Sequence, residues 1–218
     1  SIRAADLTAK LLTFTRKSSI SKEPLDLHPV ILNAVDILRT SIDKRITLQT
    51  DLSANHSVIK GNTASLQSVL LNLGINASHA MSDGPGTFTC TTRNIQLDEG
   101  YCQSSPFSLS PGLYLELSIK DTGRGIPPQY LSRIFDPFFT TKETGKGAGL
   151  GLSTAYGIIR DHQGEITVDS TPGQGTLFHI LLPASQETPR PIPQEEALFS
   201  GSGTILVVDD EDMVRNTT

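Results

Sequence analysis

Residues 121–153 read DTGRGIPPQYLSRIFDPFFTTKETGKGAGLGLS. Two glycine-rich turns flank an aromatic segment that has no helical or strand period. Asp121 ends GLYLELSIKD (112–121), a run that reads as a long strand, and Gly123 and Gly125 free the turn behind it. A carboxylate fixed at such a turn can accept a hydrogen bond from the exocyclic amine of a base, although a plain Asp-Gly turn looks the same. At the other end, Gly145, Gly147, Gly149 and Gly151 stand before a helical pattern that runs through Ala155, Tyr156 and Ile159 to about His162. Glycines permit close backbone approach, and a helix N-terminus offers free N–H groups and a positive dipole end. Together these suit a polyphosphate; a flexible loop is the other reading. The spacing is not that of a P-loop, since no Gly-Lys-Ser/Thr follows, and no strand runs directly into it as a dinucleotide fingerprint requires. Between the turns, Phe135, Phe138 and Phe139 give the stretch the composition of a lid, hinged by glycine and anchored by aromatics.

Working outward, LQSVLLNLGINASHAM (66–81) predicts a helix with Leu66, Val69, Leu70, Leu73, Ala77, Ala80 and Met81 on its core face. Asn62 can cap it. Asn72, Asn76 and His79 fall along one flank of that stripe. Amides are poor helix formers, and half-buried ones need partners. They are surface residues at a helix edge, or they face a ligand or a metal ion.

Upstream, residues 1 to about 19 form a helical pattern whose two apolar rows need another helix to cover them; a short strand follows SKEPLDL, and HPVILNAVDILRTSID (28–43) is a second helix. RITLQTDL, HSVIKG, GTFTCTTRNIQL (86–97), GEITVDS and GTLFHILLP (175–183) read as further strands, with a polar loop at 98–112. Residues 185–202, rich in Pro, Glu and Ser, read as a linker. The pattern predicts an α+β fold, a two-layer α/β sandwich with a mixed sheet and helices on one face. The net charge of −5 argues against a nucleic-acid partner. There is no apolar run of membrane-spanning length and no signal-peptide pattern, so the reading is a cytoplasmic domain, with any membrane anchor of the parent left open. Cys90 and Cys102 make no disulfide framework. The opening inside a helical pattern reads as that of an excised fragment.

Taken in order, these segments resemble the catalytic ATP-binding domain of sensor histidine kinases, of the superfamily that also holds gyrase, the heat-shock chaperone ATPases and MutL. The resemblance covers residues 21–184. NLGINASHAM resembles the asparagine box, DTGRG the first glycine box, IFDPFFTTK the phenylalanine box, GKGAGLGLS the second glycine box, and PGQGTLFHILLP the closing glycine-threonine strand. The flanks resemble two further parts. Residues 1–20 are similar to the second helix of a dimerisation and histidine-phosphotransfer hairpin, and GTILVVDDEDMVR, within 203–218, to the first strand of a receiver domain with Asp209 and Asp210.

The resemblance implies a Bergerat-type ATP-binding fold, with ATP and Mg²⁺ as cofactors. Asn76 is the implied magnesium ligand, with Asn72 beside it near the phosphates and Lys146 beside them in catalysis. Asp121 is the implied adenine reader. His79, Gly123, Gly125, Phe135, Lys142, Gly145, Gly147, Gly149, Leu150, Gly151 and Thr176 complete the implied nucleotide-binding set. Many relatives carry an arginine soon after the paired aromatics, where this chain has Thr140. The expected function is transfer of the γ-phosphoryl group of ATP to a histidine. None of His28, His56, His79, His162 and His179 has the acceptor's context, an acidic neighbour and then a proline, so the acceptor is expected upstream of Ser1. The expected partners are a second copy, through the hairpin, and a receiver domain, its own or that of a cognate response regulator. The alternatives are an ATPase of the same superfamily and a nucleotide-free dimerising adaptor.

Overall fold

Two apolar stripes set the helical layer. In the computed structural model, which describes residues 21–142 and 148–188, the stripe Leu27, Val30, Ile31, Ala34, Val35 and Leu38 is buried along α1 (Leu27–Ser41). The stripe Leu66, Val69, Leu70, Leu73 and Ala77 is buried along α2 (Thr63–Ala80), next to α1. Each helix begins where its sequence supplies a cap. The Asp26 carboxylate accepts from the N–H of His28 at 3.0 Å, and the Asn62 amide oxygen accepts from that of Ser65 at 2.9 Å. A third helix, α5 (Gly151–Asp161), packs on α2 and closes the layer. The expected helix at 1–20, Gly145, Lys146 and Gly147, and the receiver-like strand at 203–218 lie outside the described residues, as does the linker beyond 188.

The strands are β1 (Glu23–Asp26), β2 (Ile46–Leu52), β3 (Val58–Gly61), β4 (Gly86–Leu97), β5 (Gly112–Asp121), β6 (Glu165–Thr171) and β7 (Gly175–Pro183). β1 and β3 pair antiparallel in a small sheet, and the main sheet runs β2-β4-β5-β7-β6. Only β2 and β4 are parallel, so the sheet is mixed as expected. Alternation along each strand sends Phe88, Cys90, Leu115, Leu117, Ile119, Ile166, Phe178, Ile180 and Leu182 into one core beneath the helices.

The other face carries a polar row. Buried Glu116 accepts from Arg93 of β4 and meets Nδ1 of His179 of β7 at 3.1 Å. The segment expected to be a plain polar loop at 98–112 contains a short helix, α3 (Glu99–Ser104), capped by Asp98, whose carboxylate accepts from the N–H of Tyr101 at 2.7 Å. Tyr101 and Ser105 donate to Glu165 of edge strand β6, and Phe107 reaches Tyr156 and Arg160 of α5. The excursion therefore covers the start of the edge strand β6. One more short helix, α4 (Pro128–Leu131), follows β5.

Candidate functional site

β5 delivers Asp121 to the end of the sheet, in the core face's register, beside the C-terminal turn of α2. There the carboxylate is 5% exposed. Its Oδ1 accepts from the N–H of Gly123 at 2.8 Å, and the backbone and hydroxyl of Thr176 on β7 also bond to it. Burial pushes its pKa above the ordinary 3.8, and these donors oppose the rise. At two positions the turn behind it has no room for a side chain. A Cβ on Gly123 would lie 2.8 Å from the backbone carbonyl of Ala80. At Gly125, with φ of +68°, a Cβ would lie 2.2 Å from the carbonyl oxygen of Thr171. Ser170 ties the turn to the sheet, accepting from the N–H of Ile126 at 2.8 Å and donating to the carbonyl of Gly175 at 2.9 Å.

A cavity of about 440 Å³ opens beside Asp121. Asn76, His79, Asp121, Gly125, Lys142, Gly149, Gly151 and Thr176, all expected from sequence, line it. Asn72 and Gly123 lie next to this set. A Cβ built on Gly151 would have as nearest neighbours the amides of Asn72 and Asn76, at 3.6 and 3.7 Å. The first residue of α5 thus sits against the two asparagines of α2. The cap residue of α5 is Leu150, which offers no side-chain acceptor, whereas α1, α2 and α3 are each capped by a side chain. The first N–H groups of α5 are therefore left for a ligand or solvent.

Phe135 does not line the cavity. It packs behind it, with ring centroids 5.2 Å from Tyr156 and 6.5 Å from Phe178. The aromatic of that segment that lines the cavity is Phe139, 5.7 Å from Tyr130, which lines it as well. Together with Ile134, 4% exposed, these contacts anchor the predicted lid through Phe139, well beyond its first glycine. Phe138 is turned outward at φ of +67°, and its N–H donates to the carbonyl of Gly149 at 2.9 Å, closing the base of the lid. The apolar wall escaped the sequence reading, yet Ile126, Tyr130 and Ile134 are spaced four apart and now lie on that wall. The spacing was the available signal. Arg124 gave none.

At the mouth, the Lys142 ammonium lies 2.7 Å from Nδ1 of His79. Burial, then the charges of Lys142 and Arg124, hold the His79 imidazole below its usual range. Burial and the charge of Arg124 do the same to Lys142. The site thus offers one buried acceptor at its closed end, free helix N–H groups and two amides at its side, and basic groups at its mouth. That suits a ligand with a heteroaromatic base and an anionic tail.

Comparison with known proteins agrees. The family model "Histidine kinase-, DNA gyrase B-, and HSP90-like ATPase" matches residues 61–186. The sensor kinase CckA of Brucella abortus (strain 2308) is 40% identical over 223 residues, which cover 98% of this chain and 23% of that protein. The two-component sensor PprA of Pseudomonas aeruginosa is 34% identical over 183 residues, 84% of this chain and 19% of that protein. The chain thus spans less than a quarter of these curated relatives. Among solved structures, the catalytic domain of histidine kinase ThkA superposes with a TM-score of 0.59 at 25% identity, over 75% of this chain and 95% of that one. The mycobacterial sensor histidine kinase MprB gives 0.57 at 28% identity, over 75% and 97%. With the motifs, the fold and the cavity in agreement, the match over more than half of its length shows that the chain belongs to the family of histidine kinase-, DNA gyrase B- and HSP90-like ATPases.

Proposed function

We propose that this chain is the ATP-binding catalytic part of a hybrid sensor histidine kinase. It would pass the γ-phosphoryl group of ATP to a histidine upstream of Ser1. One observation carries the reading. Gly151, at the uncapped start of α5, abuts the amides of Asn72 and Asn76 in the cavity that also holds Asp121. A base accepted by Asp121 leaves its phosphates to be met by helix N–H groups and amide oxygens. Relatives named as a sensor kinase and a two-component sensor support the same reading.

In this reading Asp121 accepts from the adenine amine with the lone pairs that Gly123 and Thr176 leave free. Leu152, Ile126 and Tyr130 exclude water from the base. Asn72 and Asn76 orient the phosphates, and Asn76 would hold Mg²⁺ through its amide oxygen. The donor set fits that ion. Among the described residues no group of three or more His, Cys, Asp or Glu gathers to hold a metal, so a full protein cage is not on offer, whereas Mg²⁺ accepts few protein oxygens and takes the rest from phosphate and water. When bound, the ion neutralises charge that develops on the phosphates. Lys142 and Lys146 add positive charge from the lid. The acceptor imidazole attacks the γ-phosphorus as the bond to the β–γ bridging oxygen breaks, and ADP leaves with that electron pair. The general base is assigned to the hairpin, beside the acceptor.

The same reading takes residues 1–20 as half of a dimerisation hairpin, 21–184 as the catalytic domain, 185–202 as a linker and 203–218 as the start of a receiver. The partners are then a second copy of the parent and a receiver, its own or that of a response regulator. No helix among the described residues is long and apolar enough to cross a membrane. We place the domain in the cytoplasm, where ATP is.

The test is incubation of the full-length parent with γ-labelled ATP. Acid-labile, base-stable label on the parent, lost in Asn76→Ala, supports phosphohistidine formation. Sustained ATP hydrolysis with no such label would make the protein an ATPase instead. Failure to bind nucleotide at all would leave an adaptor.

A further inference from the structure

Three basic groups from three elements converge at the mouth of the cavity. His79 comes from the last turn of α2, Arg124 from the turn after β5, and Lys142 from the segment after Phe139. Some other cations of the described surface have carboxylate partners, as Arg45 has Asp43, Arg93 has Glu116 and Arg133 has Asp136. Among the described residues, no carboxylate pairs with Arg124 or Lys142. Among the described residues the one carboxylate lining the cavity, Asp121, is tied to Gly123 and Thr176. Like charges gathered without a counter-ion repel one another, and the arrangement is favourable only when a ligand supplies the opposite charge.

The arrangement is built rather than loose. The N–H of Arg124 donates to the carbonyl of Ala80 at 3.0 Å, and its carbonyl accepts from the N–H of Gly173 at 2.8 Å. Its backbone is thus pinned between the end of α2 and the β6–β7 turn while its side chain lines the mouth. Lys142 is steadied by His79. An ammonium can only donate, so Nδ1 of His79 supplies the lone pair at 2.7 Å and the ring hydrogen sits on Nε2. A guanidinium fork matches phosphate oxygens, and an ammonium acts as a point charge beside it.

We propose that Arg124, together with Lys142 positioned by His79, reads the charge of the nucleotide's outer phosphates, so that the site selects the triphosphate over the diphosphate. This rests on the nucleotide reading above and adds to it a residue and a preference. His79 is a positioning residue and acts through Lys142.

The test is equilibrium titration of the 218-residue chain with ATP, ADP and adenosine, each with excess Mg²⁺, at low and moderate salt. The wild type, Arg124→Gln, His79→Ala and His79→Asn are compared, and melting without ligand checks folding. Arg124→Gln should weaken ATP about tenfold, as expected for loss of one charge-assisted contact. It should change ADP about twofold or less, leave adenosine unchanged, and lower the salt dependence of ATP binding. His79→Ala should also weaken ATP, and His79→Asn, which keeps an acceptor near Nδ1, should restore much of it. An unchanged ATP-to-ADP ratio in folded Arg124→Gln, with wild-type binding intact, would overturn the proposal alone. A wild type that binds none of the three would overturn the nucleotide reading and this inference with it.

Discussion

Asp121 shows how much chemistry one side chain can carry. Two residues hold its carboxylate, and burial raises its pKa, so the ionised form is costly to keep in the empty protein. Folded and unfolded pKa values fix the sign. A raised folded pKa makes the ionised group destabilising, so its contribution is best below the ordinary 3.8 and is lost as pH rises through the folded value. Asp121→Asn should therefore leave the melting temperature at neutral pH equal or higher, while costing adenine binding about 1–3 kcal/mol for a charged acceptor. GTP should be affected less, since an amide can turn either its oxygen or its NH₂ to a base. Equal losses for ATP and GTP in a competition titration would remove Asp121 from base reading. Asp121 was legible because a strand pattern runs into DTGRG. Arg124, three residues on, was not: a lone arginine in a turn carries no period, and only its distant neighbours reveal its place. Ser170, which ties the turn to the sheet, was hidden for the same reason.

Among the elements, α2 and α5 are joined at both ends of the shared interface. At one end are Gly151 and the two asparagines. At the other is His162, which donates through Nδ1 to the carbonyl of Ile158 at 2.7 Å and accepts at Nε2 from the N–H of Asn62 at 3.1 Å. Protonating Nε2 would remove that acceptor, and burial accordingly holds the imidazole below 6.5. Here the folded pKa is depressed, so the unfolded chain binds more protons between the two values. The stabilisation is complete above about pH 6.5 and is lost as pH falls through the folded pKa. Urea unfolding from pH 7.5 to 5 should show stability falling, less steeply in His162→Gln; parallel slopes would take His162 out of the account. The cap at Asn62 invites a simpler measurement. Asn62→Ala should cost about 1 kcal/mol, or roughly 2–4 °C in Tm. An unchanged Tm would mean that the Ser65 N–H finds water instead. That cap and the bounds of β4, β5 and β7 were readable from asparagine placement and from runs bounded by glycine. The helix α3 was not, because it is a single short turn-and-a-half with no apolar face, stabilised by Asp98 and by what it covers.

At the scale of the whole molecule, the arrangement of layers followed from sequence but the strand order did not. Helices on one face are implied by strands that alternate and helices with a single stripe. Insertion of β7 between β5 and β6 is a matter of long-range pairing, and no local pattern encodes it. Yet that order makes the site. It sets Thr176 opposite Asp121, so that the last strand completes the pocket opened by β5. The proposed nucleotide site is thus assembled from parts far apart in the chain: α2, the β5 turn, the start of α5 and the start of β7. The most direct test is the thermal shift of the 218-residue chain with a magnesium complex of a non-hydrolysable ATP analogue at about 100 times its Kd. Binding at that level adds about 2.7 kcal/mol, and a domain of this size converts it to roughly 5–10 °C in Tm. The shift should fall to a small fraction in Asn76→Ala and when Mg²⁺ is chelated. No shift in the wild type, or an undiminished one in Asn76→Ala, would contradict the account.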